Sequence, residues 1–170
     1  MDFADYDFRI WLEAALVAGL VLASWRWGRG PERTLALVLA WFMVADPVNH
    51  ALFSKPAELS SLDAGHVVID GVAFVVAIFV ALYANRMYTL WFAAFQSMAM
   101  LAHLARELTR GVAPLAYAMM YIGPFFFQII VLMLGLWFHH RRERRFGPYR
   151  SWRNFSRPSR ALTRSRWPNG

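Results

Sequence analysis

The sequence contains no cysteine and almost no lysine. Lys55 is the only lysine among its 170 residues, so the remaining basic residues are arginines. The absence of cysteine excludes a disulfide framework, a thiolate metal site and a cysteine nucleophile. Charged residues are scarce at 17%, whereas hydrophobic residues make up 58%. Because a soluble domain typically has about 25% charged and about 45–50% apolar residues, this composition excludes a soluble enzyme, a coiled coil and a disordered chain.

Long apolar runs account for most of the hydrophobic residues. Five such runs are separated by short loops, and each approaches the length of about 20 residues that a membrane-spanning helix needs. They cover residues 8–25, 34–53, 65–84, 88–105 and 114–138. Lipid offers no partner to free backbone groups, so helices are expected. Short loops make consecutive helices antiparallel neighbours. The sequence therefore predicts an all-α integral membrane protein, with a five-span up-and-down transmembrane helix bundle over residues 1–138.

A basic C-terminal tail follows the predicted bundle. Residues 139–170 contain ten arginines and one glutamate, interleaved with aromatic residues. Gly147 and Pro148 are expected to end any helix that leaves the fifth span. We expect the tail to be partly disordered and to contact anionic lipid headgroups, because each arginine near an anionic surface contributes about 1 kcal/mol. The predicted lipid contacts are Arg141, Arg142, Arg144, Arg145, Arg150, Trp152 and Arg153. A lipid surface explains this composition more simply than a nucleic acid does.

The distribution of arginines also predicts the orientation. With five spans the two termini lie on opposite sides, and the positive-inside rule places the arginine-rich tail in the cytoplasm. Fourteen basic residues then lie on the cytoplasmic side and four on the outer side. Arginine in place of lysine is typical of GC-rich bacterial genomes. We therefore expect a bacterial inner (cytoplasmic) membrane protein with a periplasmic N-terminus and a cytoplasmic C-terminus.

Several ionisable residues lie inside the predicted spans, where each costs several kcal/mol unless it is paired or hydrated. Almost all of them fall in the outer half of the predicted bundle. Each histidine there has a carboxylate four positions away, and positions i and i+4 share one face of a helix. The three pairs are Asp46 with His50, His66 with Asp70, and His103 with Glu107. The other polar residues expected within the membrane are Glu13, Asn49, Gln96, Tyr117 and Tyr121.

Three functions are compatible with this outer polar layer. In the interpretation that we favour, its residues form hydrogen-bonded clamps between helices. The protein is then a non-enzymatic structural or accessory component that packs with other subunits of a membrane complex. In the second, the layer binds a transition metal (Zn, Mn or Fe) and the protein is a hydrolase-like membrane enzyme. In the third, Asp46, Asp70 and Gln96 belong to a small proton or ion conductor.

The metal hypothesis depends on histidine and carboxylate ligands, because the chain has no thiolates. The candidate ligands are His50, His66, His103, Asp46, Asp70 and Glu107. Haem, held by two facing histidines, ranks below a transition metal because no helix carries two well-spaced histidines. No cofactor follows from the sequence with certainty, and neither does an enzymatic activity.

Overall fold

A computed structural model describes residues 3–53, 64–108 and 114–153. Within these residues the regular structure is helical, apart from one isolated β-bridge between Ala84 and Trp152. The helices are α1 (Phe3–Trp27), α2 (Gly30–Phe53), α3 (Ala64–Tyr83), α4 (Tyr88–Leu108) and α5 (Pro114–Phe146). Each apolar run of the sequence corresponds to one helix, which confirms the prediction of an all-helical fold.

Helices α1, α2 and α5 extend beyond the apolar runs that predicted them, and α1 begins at Phe3 instead of residue 8. Helix α2 begins at Gly30 instead of residue 34, and Glu32 in its first turn accepts a hydrogen bond from the Arg29 backbone N–H at 2.9 Å. Helix α5 continues past residue 138 to Phe146. It ends there as predicted, because Gly147 adopts a φ of +78°, a conformation that favours glycine. Apolarity marks the membrane-embedded part of a helix, whereas capping groups decide where the helix ends.

Consecutive helices pack side by side, and α5 also contacts α1 and α2, which closes the bundle. Trp41 of α2 donates its Nε1–H to the Ile69 carbonyl of α3 at 3.1 Å. Between α4 and α5, the ring of Tyr88 lies so close to Gly135 that a Cβ at this position would be 2.7 Å from it. Glycine here lets the aromatic ring reach the α5 backbone. The up-and-down order expected from the short loops is consistent with these contacts.

The outward faces of the helices are apolar, and polar side chains point inward. On α4, Leu90, Trp91 and Leu101 are exposed, whereas Gln96 and His103 are buried. This pattern is the reverse of a soluble amphipathic helix, whose polar face contacts water. Segments long and apolar enough to cross a membrane occur in four of the described helices: Phe8–Trp27, Gly30–Leu52, Ala64–Tyr83 and Ile122–Phe146. These features indicate a membrane location.

An apolar core separates two polar regions of the bundle. It includes Leu35, Leu39, Val80, Phe92 and Leu132, all of them fully buried. On α2, Glu32 lies on one side of this core and Asp46 on the other. Fourteen residues of α-helix at 1.5 Å rise per residue place the two carboxylates about 21 Å apart along the axis. The polar residues therefore form groups at opposite ends of the molecule.

Candidate functional site

Three of the predicted metal ligands meet where α2 ends and α3 begins. His66 Nε2 lies 2.7 Å from Asp46 Oδ1, and His50 Nε2 lies 3.7 Å from the same oxygen. The centroids of the two imidazole rings are 5.1 Å apart. Asp46 and His50 share one face of α2 because of their i, i+4 spacing, and His66 approaches that face from α3. We refer to Asp46, His50 and His66 as the His66 cluster.

The geometry of the His66 cluster is close to that of a metal site. One ligand atom from each of its residues lies within 4.8 Å of the other two, and among the described residues no other group of three His, Asp or Glu side chains is this compact. Bonds of about 2.0–2.1 Å to a tetrahedral zinc place ligand atoms about 3.3 Å apart. Side-chain rotations that move these atoms by about 1.5 Å would bring all three within bonding distance of one metal ion. A site with three protein ligands keeps a position open, as catalytic zinc sites do.

The His66 cluster opens into a cleft of about 270 Å³ between the helices. The side chains of Asp46 and His50 are each 45% exposed, while that of His66 is 17% exposed. The apolar residues around the cleft are Phe42, Met43, Ile69, Ile122 and Phe125. Arg9 and Glu13 of α1 also line it, with Arg9 Nε and Glu13 Oε1 3.4 Å apart. The cleft thus combines apolar walls with polar and ionisable side chains.

A second polar group is buried at the cleft, which three of its four residues line, and it joins three helices. Asp70 of α3 lies with its Oδ2 at 3.0 Å from His103 Nε2 of α4. Its Oδ1 accepts a hydrogen bond from Gln96 Nε2 of α4 at 2.8 Å. Gln128 Nε2 of α5 then donates to Gln96 Oε1 at 2.7 Å. All four residues are buried, and we refer to them as the Asp70 chain.

Two of the membrane histidines pair with a carboxylate of the neighbouring helix. Positions i and i+4 of one helix both face the neighbouring helix, so His66 of α3 pairs with Asp46 of α2, and His103 of α4 pairs with Asp70 of α3. Five of the six predicted ligands are therefore divided between the His66 cluster and the Asp70 chain. The side chain of Glu107 lies outside the described part of the molecule.

The other polar residues predicted within the membrane have separate positions. Glu13 lines the cleft, and Gln96 belongs to the Asp70 chain. Asn49 is buried against Gly65, where any Cβ would collide with its amide group, so the close approach of α2 and α3 requires glycine. The side chains of Tyr117 and Tyr121 are outside the description.

A third polar group, at the opposite end of the bundle, was not found by sequence analysis. Glu32 and Arg86 are both buried, with Arg86 Nε 3.0 Å from Glu32 Oε1. The Tyr88 hydroxyl donates to the same oxygen at 2.6 Å. On the side of the predicted bundle that carries most of the arginines, the sequence has only two acidic residues, Glu32 and Glu143. A single acidic residue among the arginines between the first two predicted spans was the sequence signal that could have indicated this ion pair.

Arg86 also connects α5 with the residues that follow it. Its Nη1 lies 2.7 Å from His139 Nδ1, which must accept because a guanidinium only donates. The same nitrogen donates to the Tyr149 hydroxyl, and the guanidinium carbon lies 4.6 Å from the centre of the Tyr149 ring. We refer to Glu32, Arg86, Tyr88, His139 and Tyr149 as the Arg86 network. It links the start of α2, the α3–α4 turn and the C-terminal part of the described chain.

Residues 147–153 pack on the bundle. The Asn85 N–H donates to the Ser151 carbonyl at 3.0 Å, and the Arg153 N–H donates to the Tyr83 carbonyl at 2.7 Å. Trp152, predicted to contact lipid, lies against Gly30 with one edge of its indole and is 37% exposed. The bundle therefore extends beyond the predicted boundary at residue 138. The six arginines predicted to contact lipid in this region are exposed: Arg141, Arg142, Arg144, Arg145, Arg150 and Arg153.

Gly30→Ala is expected to release the 147–153 segment. A Cβ on Gly30 would lie 2.5 Å from Trp152 Nε1 and 2.9 Å from two ring carbons, so the indole must move. We expect trypsin to cleave after Arg150 and Arg153 about tenfold faster, which corresponds to about 1.4 kcal/mol of lost docking free energy. Gly19→Ala is the matched control, since nothing lies within 4 Å of a Cβ there. Equal cleavage of the two variants would contradict this account of the contact.

Comparisons of the chain with known protein families, with curated proteins and with solved structures found no match. The His66 cluster, the Asp70 chain and the Arg86 network are the features of the described chain that bear on its function.

Proposed function

We propose that this protein is a five-span bacterial inner-membrane protein that binds a transition metal at the His66 cluster. The observation that carries the proposal is the convergence of two imidazoles and one carboxylate at a cleft lined by both apolar and polar side chains. The surface and charge of the helices support the membrane placement, and the ligand geometry supports the metal.

A fifth span is supported by the surface of α4. This helix falls outside the four most apolar ones because its inward face carries Gln96 and His103, while its outward face carries large apolar residues. Residues that face lipid must be apolar, whereas residues in a bundle interior can be polar when they are hydrogen-bonded. The Asp70 chain provides those bonds. α4 can therefore cross the bilayer beside α3 and α5 despite its lower mean hydropathy.

The charge distribution of the folded chain supports a cytoplasmic location for the Arg86 end. Arg26, Arg29 and Arg33 lie at the α1–α2 turn, and the arginines at the end of α5 lie at the same end of the bundle. The described basic residues at the opposite end are Arg9 and Arg106. Positive charge accumulates on the cytoplasmic side of inner-membrane proteins. The His66 cluster and its cleft then lie near the outer leaflet.

The donor set restricts the metal and its chemistry. Two histidines and one aspartate suit Zn, Mn or Fe, and the third of these is typical of open two-histidine, one-carboxylate sites. A metal with an open position can activate a bound water as a nucleophile. Glu13 lines the same cleft and would supply a carboxylate that accepts a proton from that water. A hydrolase-like activity on a substrate that enters from the outer leaflet is the enzymatic function that this arrangement supports.

Metal analysis of the detergent-purified protein tests the proposal. After incubation with Zn²⁺, Mn²⁺ or Fe²⁺ and desalting, we expect about one metal ion per chain for at least one of them. The His50→Ala/His66→Ala double variant is expected to retain less than about 0.1 ion per chain, because one carboxylate alone cannot hold the ion.

The control for metal binding is His140→Ala, which removes a histidine at the other end of the bundle. It is expected to bind as much metal as the unmodified chain. The proposal is wrong if the unmodified chain retains none of the three metals, or if the double variant binds as much as the control.

The Asp70 chain supports a second, structural role. It is buried and joins α3, α4 and α5 through side-chain hydrogen bonds, as expected of a clamp between helices. Beyond Gln128, the described core toward the Arg86 network is apolar and includes Phe92 and Leu132. This arrangement favours a clamp over a proton or ion conductor. Packing with other membrane subunits remains a prediction from the sequence.

A further inference from the structure

A groove with several arginines lies at the Arg86 end of the bundle, between the α1–α2 turn and the 147–153 segment. Its volume is about 880 Å³. The arginines and tryptophans that line it are Arg26, Arg29, Arg33, Arg150, Trp27 and Trp152. We refer to it as the arginine groove. Neither the metal proposal nor the buried polar groups account for its composition.

The charges of the arginine groove are only partly neutralised within the protein. Glu143 is its one acidic residue, and it pairs with Arg29, whose Nε is 3.0 Å from Glu143 Oε1. Arg33 donates to the Trp25 carbonyl at the end of α1 at 3.2 Å. Within the described part of the chain, Arg26 and Arg150 form no ion pair. The groove therefore presents three guanidinium groups that pair with no carboxylate, and of these Arg33 is bonded to backbone carbonyls while Arg26 and Arg150 remain for an anion.

Aromatic residues place the arginine groove at the level of lipid headgroups. Trp25, Trp27 and Trp137 are each about half exposed around this end of the bundle. Exposed tryptophans are enriched where a membrane protein passes from hydrocarbon to water. An anion that reaches the groove from the side is therefore a headgroup of the adjacent leaflet.

We propose that the arginine groove binds the phosphate of an anionic phospholipid. Guanidinium groups bind phosphate oxygens through two parallel hydrogen bonds, and basic pockets on the cytoplasmic side of membrane helices bind multiply charged headgroups. Arg26 comes from the end of α1 and Arg150 from the 147–153 segment, so one headgroup bridges the two. The inference depends on the membrane placement proposed above and not on the metal.

Native mass spectrometry of the full chain in detergent can measure this binding. The chain is titrated with diphosphatidylglycerol and, separately, with phosphatidylcholine. We expect the unmodified chain to bind diphosphatidylglycerol more tightly. The Arg26→Gln/Arg150→Gln double variant is expected to lose about tenfold in affinity for it, because two phosphate contacts are removed.

The matched control is Arg106→Gln/Arg110→Gln, which also removes two positive charges, at and just after the end of α4 and outside the predicted lipid contacts. It is expected to change the affinity less than twofold, since these residues do not line the groove. Equal losses in the two double variants would mean that only the general positive charge attracts the lipid, which overturns a specific site. No loss in either variant overturns it as well.

Two further results complete the test. Displacement of the lipid by excess inorganic phosphate would show a site for soluble anions and would overturn the assignment to phospholipid. Unchanged circular dichroism of both double variants is expected, and it ties any loss of affinity to the groove instead of to unfolding. Metal content is measured on the same samples, so failure of the lipid proposal is distinguished from failure of the metal proposal.

Discussion

Replacement of Arg86 by alanine is expected to lower the free energy of unfolding by about 3–5 kcal/mol, because it leaves a buried carboxylate without its counter-charge. Glu32 is fully buried, and the side chain of Arg86 is 3% exposed. The Tyr88 hydroxyl and the Arg29 N–H remain as donors to Glu32, but neither carries a positive charge to it. The variant also loses the contacts of Arg86 to His139 and Tyr149, so the 147–153 segment is expected to undock.

Unfolding in mixed detergent micelles, followed by the loss of helical circular dichroism, measures this effect. The Glu32→Gln/Arg86→Gln double variant removes both charges, and we expect it to be more stable than Arg86→Ala, since no unpaired charge remains buried. Arg153→Ala, at an exposed position, is expected to change stability by less than about 0.5 kcal/mol. A cost below about 1 kcal/mol for Arg86→Ala would contradict the proposed importance of the pair.

Replacement of Asp70 by alanine is expected to cost about 2–4 kcal/mol, because His103 and Gln96 then lose their shared acceptor in a buried site. Asp70 receives contacts from two side chains of α4, and through Gln96 it is connected to α5. The estimate lies below that for Arg86 because hydrogen bonds between membrane helices often contribute less than about 2 kcal/mol each.

Asp70→Asn separates the loss of hydrogen bonding from the loss of the side chain. Its amide oxygen can still accept from Gln96, so we expect less than half of the alanine effect. Val72→Ala on the exposed face of α3 controls for a smaller side chain and is expected to have little effect. If Asp70→Ala and Val72→Ala unfold at the same detergent composition, the Asp70 chain is not a clamp.

The two largest effects differ in how far the sequence could predict them. Asp70, Gln96 and His103 were singled out because a polar residue inside an apolar run is costly without a partner. Glu32 and Arg86 lie just outside the predicted spans, where charged residues are common and need no special explanation. Their burial follows from the extension of α2 to Gly30 and from the packing of residues 147–153, neither of which is encoded in hydropathy.

Within the His66 cluster too, the sequence predicted one part of the geometry and the tertiary structure decided the other. The spacing of Asp46 and His50 places them on a common helix face whatever the tertiary structure is. The approach of His66 depends on the rotation of α3 against α2, which Gly65 and Asn49 permit by their close contact. The i, i+4 spacing along α3 suggested that Asp70 pairs with His66, but in the structure Asp70 pairs with His103.

By itself, the sequence determined the number of helices, their apolar character and the end of α5, because hydropathy, chain length and the Gly147–Pro148 pair act locally. Only the tertiary structure decided which carboxylate each histidine meets, that Arg86 neutralises Glu32 and that Trp152 lies on Gly30. Hydrophobicity cannot select these partners, since lipid is as apolar as the bundle interior and leaves helix rotation undetermined. Specific polar contacts between helices and close helix approaches at glycine determine the rotation of each helix. Both exist only when the helices are packed.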